Sequence, residues 1–134
     1  MPAPEWVCAR LENWGRWMTE GKSAGLGFPR SNIIAMHRGV SASTDHVPVD
    51  GIAAQATHRA VALLRPDRMT AWVALHCRYV GSPTARHASR RPLLMSEIGL
   101  VMNVTEATAR AYVLAGQMAV ADTLTQWQMR PALG

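Results

Sequence analysis

The sequence predicts an all-α fold, and three observations carry that prediction. Apolar residues recur every three or four positions wherever the chain is periodic, no segment alternates with period two for long enough to demand a sheet, and Pro, Gly or Asn stands where each periodic run stops.

In Trp6 to Met18, the apolar residues Val7, Leu11, Trp14 and Met18 follow one another at steps of four, three and four, which is one face of a helix. Trp6 and Trp17 flank the stripe. The stripe itself reads as a core face, and its two flanking indoles as candidates for contact with a protein partner. From Gly21 to Val47 periodicity is weak, Gly21, Gly25, Gly27 and Pro29 interrupt the chain, and Ser41 to Asp45 is rich in Ser and Thr. This tract reads as an irregular connection.

Asp50 is the expected N-cap of a second helix, with Ile52, Ala53, Ala56, Ala60, Leu63 and Leu64 facing inward up to Pro66. Asp67 is the expected cap of a third, with Met69, Trp72, Leu75, His76 and Tyr79 along one face until Gly81 and Pro83 end it. The two make a helical hairpin around Arg65 and Pro66. Gly81 to Pro92, with Arg86, His87, Arg90 and Arg91, reads as a basic loop.

Periodicity returns at Leu93. Leu94, Ile98 and Val101 form one short face, and Ala109, Tyr112, Val113, Gly116 and Val120 a longer one. Between them, Met102-Asn103-Val104-Thr105 closes one helix and caps the next, because Asn tolerates a left-handed backbone and Thr accepts from the N–H two or three positions on. Gly99 and Ala109 are the small residues expected where the helices approach, with Leu94, Ile98, Val104 and Tyr112 beneath the turn. The organisation expected is therefore an amphipathic helix at 1–20, a connection at 21–49, and a helical domain at 50–129 with a helix-turn-helix at about 93–128.

The chain of 134 residues has room for one core. Its formal charge of +5 and pI near 10.2 favour a polyanionic partner without choosing among nucleic acid, acidic protein and anionic membrane. No membrane contact is expected from a span, since the most apolar stretch, Ala71 to Leu75, is far short of the ~20 residues required. Charged Glu5, Arg10, Glu12 and Arg16 break up any secretory signal, so the expected location is the cytoplasm. Cys8 and Cys77 stand far apart and read as core thiols, with no zinc-type spacing and no cofactor implied. Catalysis finds no foothold either: His37, His46, His58, His76 and His87 are scattered, Gly25-Leu26-Gly27 precedes a Pro, and His46 beside Asp45 points away from it.

The exposed start of the last helix carries Thr105, Glu106, Thr108 and Arg110. Arg suits guanine, Glu accepts from cytosine, and Thr reads several base edges or a phosphate, so these are the expected contacts to double-stranded DNA. Arg78, Arg86, Arg90 and Arg91 lie just upstream and are the expected phosphate contacts.

Residues 60–124, with AVALLRPDRMTAWVALHCRYV and then LLMSEIGLVMNVTEATARAYVLAGQMAVADTL, resemble region four of bacterial sigma factors, which grips a promoter element. In that family a few residues join the two helical pairs, whereas here the tract Gly81 to Pro92 intervenes. WVCARLENWGRW at Trp6 to Trp17, followed by GKSAGLGFPR, is similar to the opening of phage Q antitermination proteins of the non-zinc type. That resemblance covers nearly the whole chain. It implies a factor that binds a DNA element at a phage late promoter, loads onto paused bacterial RNA polymerase holoenzyme, and suppresses pausing and termination. It also implies Trp6 and Trp17 as polymerase contacts and allows more than one protomer per DNA site. The competing expectations are a phage promoter-binding activator or repressor, which needs little beyond the helix-turn-helix, and a pure protein-interaction module.

Overall fold

A computed structural model describes residues 2–21, 48–83 and 91–127. Among these residues every regular element is helical: α1 (Glu5–Arg16), α2 (Gly51–Ala62), α3 (Met69–Tyr79), α4 (Met95–Met102) and α5 (Glu106–Gln126). The all-α expectation holds for them.

Helix α1 begins after Pro4, which is extended at φ -60° and ψ 145°, and it continues into one wider, π-helical turn at Trp17–Gly21. Glu5 at its start and Arg16 at its end complement the helix dipole. Val7, Leu11 and Trp14 are fully buried, which makes the stripe read from the sequence a core face. The start of α2 is tied to α1. The Asp50 N–H donates to Asn13 Oδ1 at 2.8 Å, Asn13 Nδ2 donates to the Asp50 carbonyl at 3.0 Å, and the Asp50 carboxylate caps α2 by accepting from the Ala53 N–H at 3.0 Å. Asp50 is the expected cap, and the same residue joins two helices.

The inward face of α2 differs from the expected one. Ile52 and Leu63 are 81% and 58% exposed, while Ala54, Ala56, Thr57, Ala60, Val61 and Leu64 are buried. Ile52 and Leu63 are eleven positions apart and so share a face, but it is the outer one. An Ala-rich helix looks apolar on several sides, and the small side chains take the inner position because they let α2 approach α1 and α5. Thr57 is accommodated in the core by donating its hydroxyl to the Ala53 carbonyl at 2.8 Å.

The hairpin turn is longer than Pro66 and Asp67 suggest. Bonds from Leu64 N–H to Val61 O and from Arg68 N–H to Leu64 O carry it past Asp67, so Arg68 is the N-cap of α3 and no side chain caps that end. Asp67 is exposed and is not the cap. Met69, expected inward, is 47% exposed, and Ala71, Ala74, Leu75, His76 and Cys77 form the buried face instead. Gly81, with φ of 140°, ends the helix as expected, its N–H bonded to the His76 carbonyl.

The long helix α5 packs along α3, where Gly116 lies so close to the Leu75 side chain that an added Cβ would sit 2.7 Å from it. Gln117 Nε2 donates to the Tyr79 hydroxyl at 2.8 Å and reaches Cys8 Sγ at 3.8 Å, joining α5, α3 and α1. Cys77 is buried, which pushes its thiol up to about 11, and Cys8 is half-buried against the core. Among the described residues no helix is long and apolar enough to cross a membrane.

Candidate nucleic-acid interface

Helices α4 and α5 are joined by Asn103, Val104 and Thr105. Asn103 takes the left-handed conformation, φ 60° and ψ 45°, and is the only described non-glycine residue to do so. The reversal lets the Val104 N–H reach back to the Gly99 carbonyl at 2.9 Å and the Asn103 N–H to Leu100 O at 3.3 Å. Thr105 then caps α5, its Oγ1 accepting from the Thr108 N–H at 3.1 Å. Both roles are those expected from the tetrad.

Gly99 is the residue that permits the closeness. A Cβ there would lie 2.8 Å from the Val104 carbonyl oxygen, so it is the turn's own backbone, rather than Ala109, that occupies the space a side chain would need. Beneath the turn, Ile98, Ala109 and Val113 are buried, with Val101, Met102, Val104 and Tyr112 packed half-buried against them. Leu94 is not among them. It is the extended N-cap residue of α4 and 64% exposed, and Leu93 is buried in its stead, held by a bond from its N–H to the Cys77 carbonyl at 2.8 Å. In an extended segment neighbouring side chains point to opposite sides, so only one of the two can turn inward.

The outward face of the first two turns of α5 presents Thr105, Glu106, Ala107, Arg110 and Ala111, with Thr108 half-buried. Arg110 Nη2 donates to Glu106 Oε2 at 2.6 Å. The Thr105 hydroxyl donates to Thr108 Oγ1 at 3.0 Å, so both threonines are engaged in starting the helix. Sequence reasoning passed over Ala107 and Ala111. Each directly follows a selected charged residue, and their position on the exposed face is the signal that would have drawn them in.

The upstream cations divide. Arg86 and Arg90 lie outside the described residues. Arg91 sits at the entry to α4 and grips Glu97 with two N–H groups, at 2.8 and 3.2 Å, while Glu97 also accepts from the Leu94 N–H at 2.8 Å. Glu97 thus caps the helix and holds Arg91 together, and these bonds keep its carboxyl down at about 2. Arg78 is half-buried, with Nη1 3.5 Å from the Leu93 carbonyl and its guanidinium 6.0 Å from the Tyr79 ring.

Trp6 and Trp17 both pack half-buried against the core. Trp17 also lies with its ring 5.6 Å from that of His58. It belongs to a cluster in which Trp14 donates to His58 Nδ1 at 3.1 Å, Trp14 and Trp72 flank His76 at 5.1 and 4.2 Å, and Arg65 covers Trp72 at 4.9 Å. Trp17 is therefore more tightly integrated than the edge position read from the sequence. His37, His46 and His87, the pair Asp45 and His46, and the Gly25-Leu26-Gly27 turn lie outside the described residues. Among the described residues no three His, Cys, Asp or Glu side chains gather as metal ligands.

Comparison with protein-family models, with curated proteins and with solved structures found no match to this chain.

Proposed function

We propose that α4, the Asn103 turn and α5 are a helix-turn-helix that docks α5 in the major groove of duplex DNA, and that the protein is a phage late-gene antitermination factor acting on host RNA polymerase holoenzyme. The observation that carries the DNA reading is the first two turns of α5. One side of them is anchored in the core through Ala109 and Val113, and the other presents Glu106, Ala107, Arg110 and Ala111 without a covering element among the described residues. A rigidly held helix start with a guanidinium, a carboxylate and two methyl groups can meet guanine, cytosine and thymine edges. The net charge of +5 adds the sequence-independent attraction that loading requires.

The antitermination reading adds the resemblance of WVCARLENWGRW and of the sigma-like C-terminal stretch to that family. In this reading, DNA binding is a loading step, and Trp6 and Trp17 border the surface that stays with polymerase. Two measurements test it. Filter binding to duplex should weaken steeply with salt, which a pure interaction module would not show. Transcription from a cognate late promoter through a terminator should then give read-through only with the protein present. Promoter binding with unaltered termination would reject antitermination and leave a promoter-binding activator or repressor.

A further inference from the structure

We infer that Glu106 and Arg110 form a single coupled reading unit, in which Arg110 takes a guanine and Glu106 discriminates against sites whose adjacent base pair carries no cytosine. The inference rests on the DNA-binding reading above and extends it from a list of contacts to a rule of rejection.

Arg110 Nη2 donates to Glu106 Oε2 at 2.6 Å, and with side chains 61% and 48% exposed the pair stands out from the protein surface. A guanidinium has five N–H groups, so after one is given to Glu106 an edge remains for the O6 and N7 of guanine. The second carboxylate oxygen, Oε1, retains its lone pairs for the amino group of cytosine. Ala107 and Ala111, exposed beside the pair, carry only methyl groups and so do not themselves hold the pair off the bases.

Charge sets the direction of the effect. A carboxylate brought into the groove is repelled by phosphates at every sequence, and the repulsion is offset only where donors meet it. Arg110 supplies one donor at any site. Cytosine supplies the second only at the right one. Elsewhere Glu106 is desolvated with an oxygen unmet, so its main effect is to weaken wrong sites. In the free protein an exposed pair of this kind contributes little to stability, so removing it should leave the fold intact.

The test uses the full chain, a pool of duplexes randomised over 20 positions, which is about two turns of DNA, and one fixed non-cognate duplex. Wild type should enrich a guanine with a neighbouring cytosine. Glu106→Ala should raise affinity for the non-cognate duplex and lower the ratio of specific to non-specific affinity by about tenfold, while Glu106→Gln, which keeps an acceptor without the charge, should fall between. Arg110→Ala should lose the guanine and weaken every site, and should do so less in the Glu106→Ala background, since the stranded carboxylate is then gone. Equal changes in specific and non-specific affinity for the Glu106 variants would assign the residue to helix initiation alone and overturn the coupling. So would strict additivity of the two substitutions. Absence of salt-dependent duplex binding by wild type would instead overturn the DNA reading itself, with circular dichroism confirming that each variant is folded.

Discussion

A Cβ placed on Gly99 would lie 2.8 Å from the carbonyl oxygen of Val104, five residues on, whose own N–H is bonded back to the Gly99 carbonyl at 2.9 Å. The approach of α4 to the start of α5 is therefore set by backbone against backbone. Gly99→Ala must push the turn outward, because a carbonyl in a hydrogen-bonded turn cannot swing aside as a side-chain tip can. Overpacking of this kind costs about 1–3 kcal/mol, and the gain in helix propensity offsets about 1 kcal/mol. Urea unfolding should show a net loss, and an unchanged midpoint would mean that the turn opens freely.

Asn103 carries the reversal itself. With φ at 60°, a residue with a branched Cβ is strained there by about 1–2 kcal/mol or more, whereas glycine is not. Asn103→Gly should hold or raise the unfolding midpoint and Asn103→Val should lower it. Equal stability of the two variants would contradict the left-handed turn.

His76 is the clearest source of pH dependence. Burial, and then His58 and Arg65 nearby, hold its pKa down from 6.5 to about 4, while Trp14 and Trp72 pack against its ring. The folded state thus resists a proton that the unfolded chain accepts. Stability from this group is complete above pH 6.5 and falls as pH drops from 6.5 toward 4, by up to about 3 kcal/mol. Glu97 acts lower. Its carboxyl is depressed to about 2, so its contribution is full above about 4.5, declines as pH falls below that, and is gone below about 2. Urea midpoints at pH 7 and pH 4.5 therefore span most of the His76 interval before most of the Glu97 contribution is lost. His76→Phe, which keeps a ring between the two tryptophans, should flatten the difference. An equal drop in that variant would place the pH dependence elsewhere.

What the sequence revealed follows from how directly each feature is encoded. The turn was legible because Asn103 and Thr105 act through their own backbone, with no distant partner needed. The stripe Val7, Leu11, Trp14 was legible because large side chains on one face have no alternative to the core. Helix α2 was not, since alanines mark no side and Ile52 and Leu63 point outward. Its orientation depends on partners that lie far along the chain. The choice between Leu93 and Leu94 was likewise settled from a distance, by the carbonyl of Cys77. At the candidate interface the residue types are readable, and so is one pairing, because Glu106 and Arg110 stand four apart on one helix. Nothing in the order of residues shows that Glu97 holds Arg91 from six positions away, across the start of α4.

If α5 docks on DNA, the pairing of Arg91 with Glu97 governs how the upstream cations meet phosphates. Arg86, Arg90 and Arg91 are expected to meet phosphates, and Arg91 already has an acidic partner. Two N–H groups of Arg91 lie on Glu97 and another reaches the Pro92 carbonyl at 3.1 Å, so its charge is already matched before DNA arrives. Moving it to a phosphate would strand Glu97, whose carboxylate also caps α4 through the Leu94 N–H. Each phosphate neutralised contributes about 0.9 to the slope of log affinity against log salt, so Arg86 and Arg90 replaced together by Ala should lower that slope by about two. Arg91→Ala should lower it by much less than one and act instead on the helix start, visible as a small loss of thermal stability. Glu97→Gln should do the reverse for binding: it loosens Arg91, steepens the salt dependence, and weakens the cap. If Arg91→Ala flattens the slope as much as either neighbour does, then Arg91 leaves Glu97 on binding, and the pair is a latch that DNA opens rather than a fixed support for α4.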